Sequence, residues 1–384
     1  MSARDGFRGV WRTLRHHASA ALILLGATIL YSFYYPLAYR HQVASELPIA
    51  IVDGDHSALS RALIRKVRAV DGVQVVDELS DVYAAQHALA RSDIDGYLYI
   101  PKDYERDVRR GEAGELGLYS NGAYLIRNQT VLESLAKAVT SAGLDIVGGK
   151  LLAAGIAGPR MAQVAQPLTA IERPMFNKRE GYGSYVVPAV AQLIVQQTLW
   201  FGAAMLIAVR RSQGGFTSGG ELLGWVLFFL LVGTINGLYF NGLNFWIQDY
   251  PRGGNLPGLL VAMPLFIASI VALALFTGSF FMREARVLQS LSVTSVPIFF
   301  LSGISWPLDA MPTAMGWLGK LAPSTPGIQA MVKLNQMGAS LRDIAPELGQ
   351  MALLVVLYGG LGAWRLLALS PRPHASTTTV LTDP

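Results

Sequence analysis

Cysteine is absent from this 384-residue chain, which excludes a disulfide framework, a thiolate metal site and a cysteine nucleophile. Charge is scarce as well. Asp, Glu, Lys and Arg make up 15% of residues and hydrophobic types 52%, whereas soluble domains carry about 25% charged residues. With a mean hydropathy of +0.37, the composition excludes a disordered, collagen-like or coiled-coil chain. A phosphate-binding P-loop is also missing. The Gly-Lys pairs Gly149-Lys150 and Gly319-Lys320 are each followed by Leu, where Ser or Thr would be needed to hold Mg²⁺. Histidines are few, and His16-His17 has no third ligand nearby.

Long apolar runs are what the chain has instead. A spanning helix needs about 20 mostly apolar residues, and six stretches qualify. They are Ala20 to Tyr39, Tyr185 to Val209, Leu222 to Phe240, Leu259 to Phe281, Val287 to Ile304, and Gln350 to Leu367. The first is longer than a signal-peptide core and carries Tyr31, Tyr34 and Tyr35 where a cleavage site wants small residues. It reads as a retained helix with an aromatic belt at its outer end. No Asp, Glu or Lys lies inside the six runs, and Arg365 is near enough to an end to snorkel. A self-sufficient proton-driven transporter would carry ionisable relays there.

Charge placement sets the orientation. Between Arg40 and Glu180 there are 17 basic and 18 acidic residues, a net of −1; the other 14 basic and 8 acidic residues give +6. With a cytoplasmic N-terminus, Arg4, Arg8, Arg12, Arg15, Arg210, Arg211, Arg283, Arg286, Arg365 and Arg372 fall inside. Only Arg252, Lys320, Lys333 and Arg342 fall outside, so the positive-inside rule places both termini in the cytoplasm. The basic excess is not clustered as a nucleic-acid footprint would be.

The expected architecture is a polytopic α-helical membrane protein with six transmembrane helices and an extracytoplasmic α/β domain between helices 1 and 2. Residues 1–17 form an amphipathic interfacial helix, with Phe7, Val10, Trp11 and Leu14 at i, i+3, i+4 and i+7. Helix 1 spans 18–39, the α/β domain 40–181, and helices 2–6 span 182–370. The Pro-rich segment 306–347 is expected to be re-entrant or to lie on the outer surface, and 371–384 to be a disordered cytoplasmic tail. Within the insert, Ile49–Val52, Val73–Val76, Tyr97–Ile100 and Leu116–Tyr119 read as strands alternating with helices. A long helix from about Tyr124 to Leu152 follows.

Asp53-Gly54-Asp55-His56-Ser57, directly after a strand, is the most enzyme-like motif. Two aspartates spaced in this way can hold Mg²⁺ and accept a phosphoryl group, but no second acidic cluster with a convincing context accompanies them. The alternative, a tight turn with a helix N-cap at Asp55 or Ser57, is preferred. In the apolar runs the polar residues are amides and hydroxyls: Gln192, Gln196, Gln197 and Thr198, then Thr234 and Asn236, then Gln289 and Ser292. They can bond between helices, line a substrate path, or do both.

These segments together resemble ABC-2 type transporter permeases, the membrane subunits of ABC exporters. The resemblance rests on Leu47-Pro48-Ile49-Ala50-Ile51-Val52-Asp53-Gly54-Asp55-His56-Ser57-Ala58-Leu59-Ser60-Arg61. It rests also on Gly96-Tyr97-Leu98-Tyr99-Ile100-Pro101 with Tyr104-Glu105-Arg106-Asp107, and on Phe300-Leu301-Ser302-Gly303-Ile304-Ser305-Trp306-Pro307. Met311-Pro312, Pro323-Ser324-Thr325-Pro326 and Leu334-Asn335-Gln336-Met337-Gly338 complete it.

The resemblance implies an inner-membrane multidrug-type exporter subunit with no ATPase site or cofactor of its own. ATP and Mg would be bound by a partner ATP-binding cassette subunit, and a second permease copy would complete a homodimer or heterodimer. Membrane lipid and, on the outer domain, a periplasmic adaptor protein are the further expected partners. Coupling to the ATPase is expected at Phe7, Trp11 and Leu14 and at Arg210, Arg211, Gln213, Phe216 and Glu221. The 210–217 segment itself lacks the acidic residues many relatives carry. Gln192, Gln196 and Asn236 are expected along the translocation path, and Asp53, Asp55, Ser57 and Arg61 form the extracytoplasmic motif. The alternative function is a membrane-anchored receptor or docking protein, against which six spans weigh. An outward-facing phosphatase at Asp53 is the third reading.

Overall fold

A computed structural model describes residues 2–39, 44–156, 176 and 181–369. The tail at 371–384 and the ends of the insert near 40 and 180 lie outside the described residues. The chain divides into two compact units, residues 43–173 and residues 1–42 with 174–384.

The smaller unit is α/β. Its elements run β1 (Leu47–Asp53), α3 (Ala58–Arg68), β2 (Val73–Glu78), α4 (Val82–Ala90), β3 (Gly96–Ile100), α5 (Tyr104–Arg110), β4 (Gly117–Ser120) and α6 (Leu125–Ala153); α1 and α2 belong to the other unit. The sheet order is β2-β1-β3-β4, with β1 parallel to β2 and β3, and β4 antiparallel to β3. Alternation along β1 sorts its side chains between two cores. Ile49 and Ile51 pack with Leu63, Val67, Leu98, Tyr104, Val131 and Leu135. Ala50 and Val52 pack with Ala85, Ala88 and Tyr97. Helices α3, α5 and α6 therefore cover one face and α4 the other.

In the larger unit α1 (Ala3–His16) starts at Ser2, whose hydroxyl accepts from Asp5 N while the Asp5 carboxylate accepts from Ser2 N. That capping box draws the Asp5 carboxyl below its usual range, chiefly through the hydrogen bond from the Ser2 side chain. Among the described residues, five helices are long and apolar enough to cross a membrane: α2 (Ala18–Leu37), α7 (Tyr182–Ser212), α8 (Gly219–Ile247), α9 (Leu256–Gly278) and α14 (Ala345–Ala368). Helix α7 is the hub. Of its most apolar window 89% is buried, against 28% in α2 and 22% in α14, so the other helices surround it. At 1.5 Å per residue it is roughly 46 Å long, well beyond the ~30 Å hydrocarbon thickness.

The expected span from Val287 to Ile304 is not one helix. It forms α10 (Glu284–Ser292) and α11 (Ser295–Leu301). Pro297 brings no N–H to bond the Val293 carbonyl four residues back, and the ladder breaks there. Between it and α14 lie a single 3₁₀ turn at Leu308–Ala310, the short α12 (Thr313–Gly319) and α13 (Ser324–Asn335). Helix α13 is half the length of a span, yet Ser324, Ile328, Met331, Leu334 and Asn335 are all buried. It therefore sits inside the bundle, packed on α7 and α9, and not on its surface.

Two helices also carry π-helical turns, Leu22–Gly26 within α2 and Tyr239–Asn244 within α8. A π turn opens the i→i−4 ladder and leaves carbonyls for outside donors. Both turns receive such a donor, as described next.

Candidate functional site

Among the polar residues buried in the membrane unit are three hydrogen-bonded groups. Gln192 and Asn241 exchange two hydrogen bonds, Gln192 Nε2 to Asn241 Oδ1 at 2.8 Å and Asn241 Nδ2 to Gln192 Oε1 at 3.2 Å. Asn335 of α13 donates from Nδ2 to the Asn241 carbonyl (3.0 Å), which belongs to the π turn of α8, and accepts from Gly253 N (2.8 Å). Asn236 does the same for the π turn of α2: its Nδ2 donates to the Leu24 carbonyl at 3.0 Å. The Thr28 and Thr198 hydroxyls, 3.2 Å apart, continue this contact to α7. Thus each π turn is held by an asparagine from a neighbouring element.

Gln196 lies one turn below Gln192. Its Oε1 accepts the backbone N–H of Ser324 (2.5 Å) at the start of α13. Since Gln196 is near the middle of α7, the half-length helix begins at mid-depth of the bundle. Both side chains are fully buried, and among the described residues Gln196 Nε2 and Ser324 Oγ have no hydrogen-bond partner. Two unpaired polar atoms facing the interior of an otherwise apolar bundle cost about 1–3 kcal/mol each.

The pairing across α7 and α8 carries a test. Gln192→Leu or Asn241→Leu alone is expected to destabilise the chain by about 1–3 kcal/mol, because either leaves a buried amide without its partner. The double variant should cost about 1 kcal/mol less than the sum. Thermal unfolding of the four chains in detergent measures the cycle; strictly additive losses would show that the two amides do not act as a pair.

The expected coupling residues cluster at one end of the bundle. Helix α1 lies against the start of α8 at backbone distance. A Cβ on Gly224 would stand 2.1 Å from the Ala3 carbonyl oxygen, and one on Gly6 2.2 Å from the Glu221 carbonyl oxygen. Only hydrogen at both positions permits the crossing. Phe7 then stacks edge-on against Phe228 (5.2 Å between ring centres), and Trp11 reaches the same ring at 6.4 Å. Val10 and Leu14 are buried, whereas Trp11 is 51% exposed.

Arg210, at the end of α7, donates from Nε to Glu221 (2.7 Å), and the second Glu221 oxygen accepts from Thr217 N (2.8 Å) and Thr217 Oγ1 (2.7 Å). Ser218 caps the helix by accepting from Glu221 N, and the Arg210 guanidinium lies 5.9 Å from the centre of the Phe216 ring. Phe216 and Glu221 are buried, while Gln213 and Trp11 are exposed. The buried members shape the α7–α8 turn; the exposed ones are open to a partner. Arg211 turns elsewhere, to the Phe281 carbonyl at 2.9 Å.

In the α/β unit the Asp53–Arg61 motif is a folding device. Asp53 Oδ1 accepts from the N–H groups of Asp55 and His56, both at 3.0 Å, and Oδ2 from the Ser60 hydroxyl at 2.8 Å. Ser57 is the N-cap of α3, and Asp55 Oδ2 accepts from Glu105 N in α5. Arg61 donates to the His56 carbonyl at 2.7 Å. The two aspartates are thus engaged with different helices, as a turn and caps require. The Glu105 carboxyl is held below its usual range, first by its hydrogen bond with Arg109.

Sequence reasoning passed over Asn241, Gly6 and Gly224, and noted Asn335 only as part of the family motif. The predicted third span ended at Phe240, one residue short of Asn241, whereas the helix continues to Ile247. Gly6 falls four residues before Val10, on the same face of α1, and was legible as a small residue on an otherwise apolar stripe.

A helical bundle around one buried helix, with an uncharged polar interior and an amphipathic helix locked to its end, defines a multi-pass membrane protein of the transport type. The chain belongs to the family described as ABC-2 family transporter protein, which residues 19–364 match. It is similar to the linearmycin resistance permease protein LnrN of Bacillus subtilis (strain 168), 22% identical over 354 residues, covering 84% of this chain and 88% of that protein. It is also similar to the probable multidrug ABC transporter permease YbhR of Escherichia coli (strain K12), 21% identical over 336 residues, covering 82% and 85% respectively. The chain is a permease subunit of an ABC transporter, a class that works with an ABC ATPase subunit.

Proposed function

We propose that this permease is an exporter subunit that moves an amphipathic molecule, a drug or lipid-like compound, out across a bacterial inner membrane. The observation that supports it most directly is the level of Gln196 and Ser324. There, a buried amide and a buried hydroxyl without partners among the described residues sit at mid-depth among apolar side chains, a chemistry suited to a mostly apolar molecule with a few polar atoms. The names of the two relatives, one for resistance to linearmycin and one for multidrug transport, point the same way. In this reading Gln192, Gln196 and Asn236 border the path. A second permease copy completes it, and a separate ATPase binds and hydrolyses ATP with Mg. That ATPase shifts the permease between inward- and outward-facing states. It docks on the end formed by Phe7, Trp11, Leu14 and the segment from Arg210 to Glu221.

The broken pair α10–α11 makes the sixth crossing in this reading, which leaves both termini cytoplasmic and the α/β unit outside. Its surface is then available to a periplasmic adaptor.

The test uses the absence of cysteine. Cysteines introduced at Tyr83, exposed on the α/β unit, and at Gln213, exposed after α7, should label oppositely with a membrane-impermeant maleimide on intact cells, Tyr83→Cys reacting and Gln213→Cys not. The chain purified gently from its native membrane should bring an ATPase with it. The pair in proteoliposomes should then transport an apolar dye in the ATP-dependent, outward sense. Labelling of Gln213→Cys from outside, or purification without any ATPase, would overturn the reading.

A further inference from the structure

Arg211 ends α7 and Arg365 lies in the last turn of α14, far apart in sequence, yet they reach carbonyls two residues apart. Arg211 Nη1 donates to Phe281 O at 2.9 Å and Arg365 Nε to Ser279 O at 3.4 Å. The Arg365 guanidinium also lies 4.3 Å from the centre of the Phe280 ring. Each side chain is partly buried, and acceptors two residues apart bring both to the same turn past α9.

Ser279 is the C-cap of α9 and Phe281 lies two residues past it, at the end where the helix dipole contributes about −0.5 of a charge. Two guanidiniums therefore leave about 1.5 positive charges uncompensated. Among the described residues neither has a carboxylate within ion-pair distance. This contrasts with the adjacent Arg210, which is closed by Glu221 at 2.7 Å. Glu284, three residues past Phe281, is engaged by His17 at 3.2 Å. A guanidinium has five N–H donors, and the hydrogen bonds above use one on each. Exposed apolar side chains adjoin the pair, Phe280, Met282, Trp364 and Leu369, with exposed Arg283 and Arg286 further along the chain.

Paired cations with free forked donors suit a phosphoryl oxygen pair, and the apolar rim at the end of three helices suits acyl chains. We infer that Arg211 and Arg365 together bind the phosphodiester of one anionic phospholipid, whose chains run along the exposed apolar surface beside Phe280 and Trp364. The site is independent of the transported substrate and of the direction of transport. It ties the ends of α7, α9 and α14 to the charge of the surrounding leaflet.

Native mass spectrometry of the detergent-purified full chain, titrated with phosphatidylglycerol, phosphatidylcholine or inorganic phosphate, tests it. One phosphatidylglycerol per chain should be retained in preference to phosphatidylcholine. In Arg211→Gln/Arg365→Gln its affinity should fall about thirty-fold, the loss expected for two charges near an anionic headgroup. Arg283→Gln/Arg286→Gln, which removes two exposed charges nearby, should leave retention unchanged. If the double glutamine variant fails to fold, Arg365→Gln alone should still lower retention.

Equal retention of the two lipids, or equal loss in the Arg283/Arg286 control, would overturn the assignment. Displacement of phosphatidylglycerol by inorganic phosphate at matching concentration would give the pair to a free anion. Unchanged lipid binding with loss of a co-purifying ATPase would give it to carboxylates of the partner protein.

Discussion

Replacing Gly224 with leucine is expected to unseat the N-terminal helix. The Ala3 carbonyl oxygen stands 2.1 Å from where even a Cβ would be, and the Phe7 backbone nitrogen 2.5 Å away. Both are backbone atoms that cannot swing aside as a side chain could. Overpacking of this kind costs about 1–3 kcal/mol when it can be relieved, and here the relief is separation of α1 from α8. The cysteine-free background makes the separation measurable. Phe7→Cys and Phe228→Cys, replacing rings 5.2 Å apart, should be joined efficiently by a short bifunctional thiol reagent. In the Gly224→Leu background the yield should fall at least about ten-fold, and ATP-driven transport should fall with it. An unchanged yield would mean that α1 does not cross α8 at Gly6 and Gly224.

Removing the Glu221 carboxylate is expected to be the most damaging single loss of charge in the membrane unit. Glu221 is 3% and Arg210 17% exposed in their side chains. The carboxylate also receives both the N–H and the hydroxyl of Thr217. Breaking a buried pair from one side costs about 3–5 kcal/mol, because the remaining charge stays out of water without a counter-ion. Glu221→Ala should therefore lower the unfolding temperature of the full chain sharply. Arg210→Gln/Glu221→Gln, which leaves no lone charge, should recover a large part of the loss. If the double variant were as unstable as Glu221→Ala, packing around Phe216 and not the ion pair would govern the turn. The measurement also bears on coupling. A turn that melts while the bundle persists should leave ATP hydrolysis by the partner intact but disconnect it from transport.

Much of the candidate site was visible as residue types and little of it as partnerships. Gln192, Gln196 and Asn236 stand out in sequence because polar side chains in an apolar run must find partners or line a cavity. Their partners could not be read, since each belongs to a distant segment. Asn241 lies 49 positions from Gln192, and Ser324 lies 128 positions from Gln196. The Asp53 motif shows the converse. Its spacing suits metal chemistry or a turn; the lack of a second acidic cluster favours the turn in sequence, and the hydrogen bonds to Asp55, His56 and Ser60 show how it is built. Leu14, Phe216 and Glu221, grouped in sequence with exposed Trp11 and Gln213, are buried. Amphipathic spacing marks a face without saying what covers it.

At the level of the fold, hydropathy alone determined the membrane class, four of the later apolar runs as continuous helices, and the α/β character of the insert. Those properties follow from local periods, about 20 apolar residues for a span and alternation for a strand, and need no knowledge of distant contacts. Proline at 297 was legible too, though the apolar run concealed that the helix would break there. Tertiary structure alone decided which helix is central, that the half-length Ser324–Asn335 helix is inserted to the depth of Gln196, and that α1 is locked onto α8 through two glycines. In lipid, helices gain nothing from hydrophobicity by meeting one another, so their neighbours are chosen by close backbone approach and by amide pairing. Both are properties of two surfaces at once, and neither is written in either segment by itself.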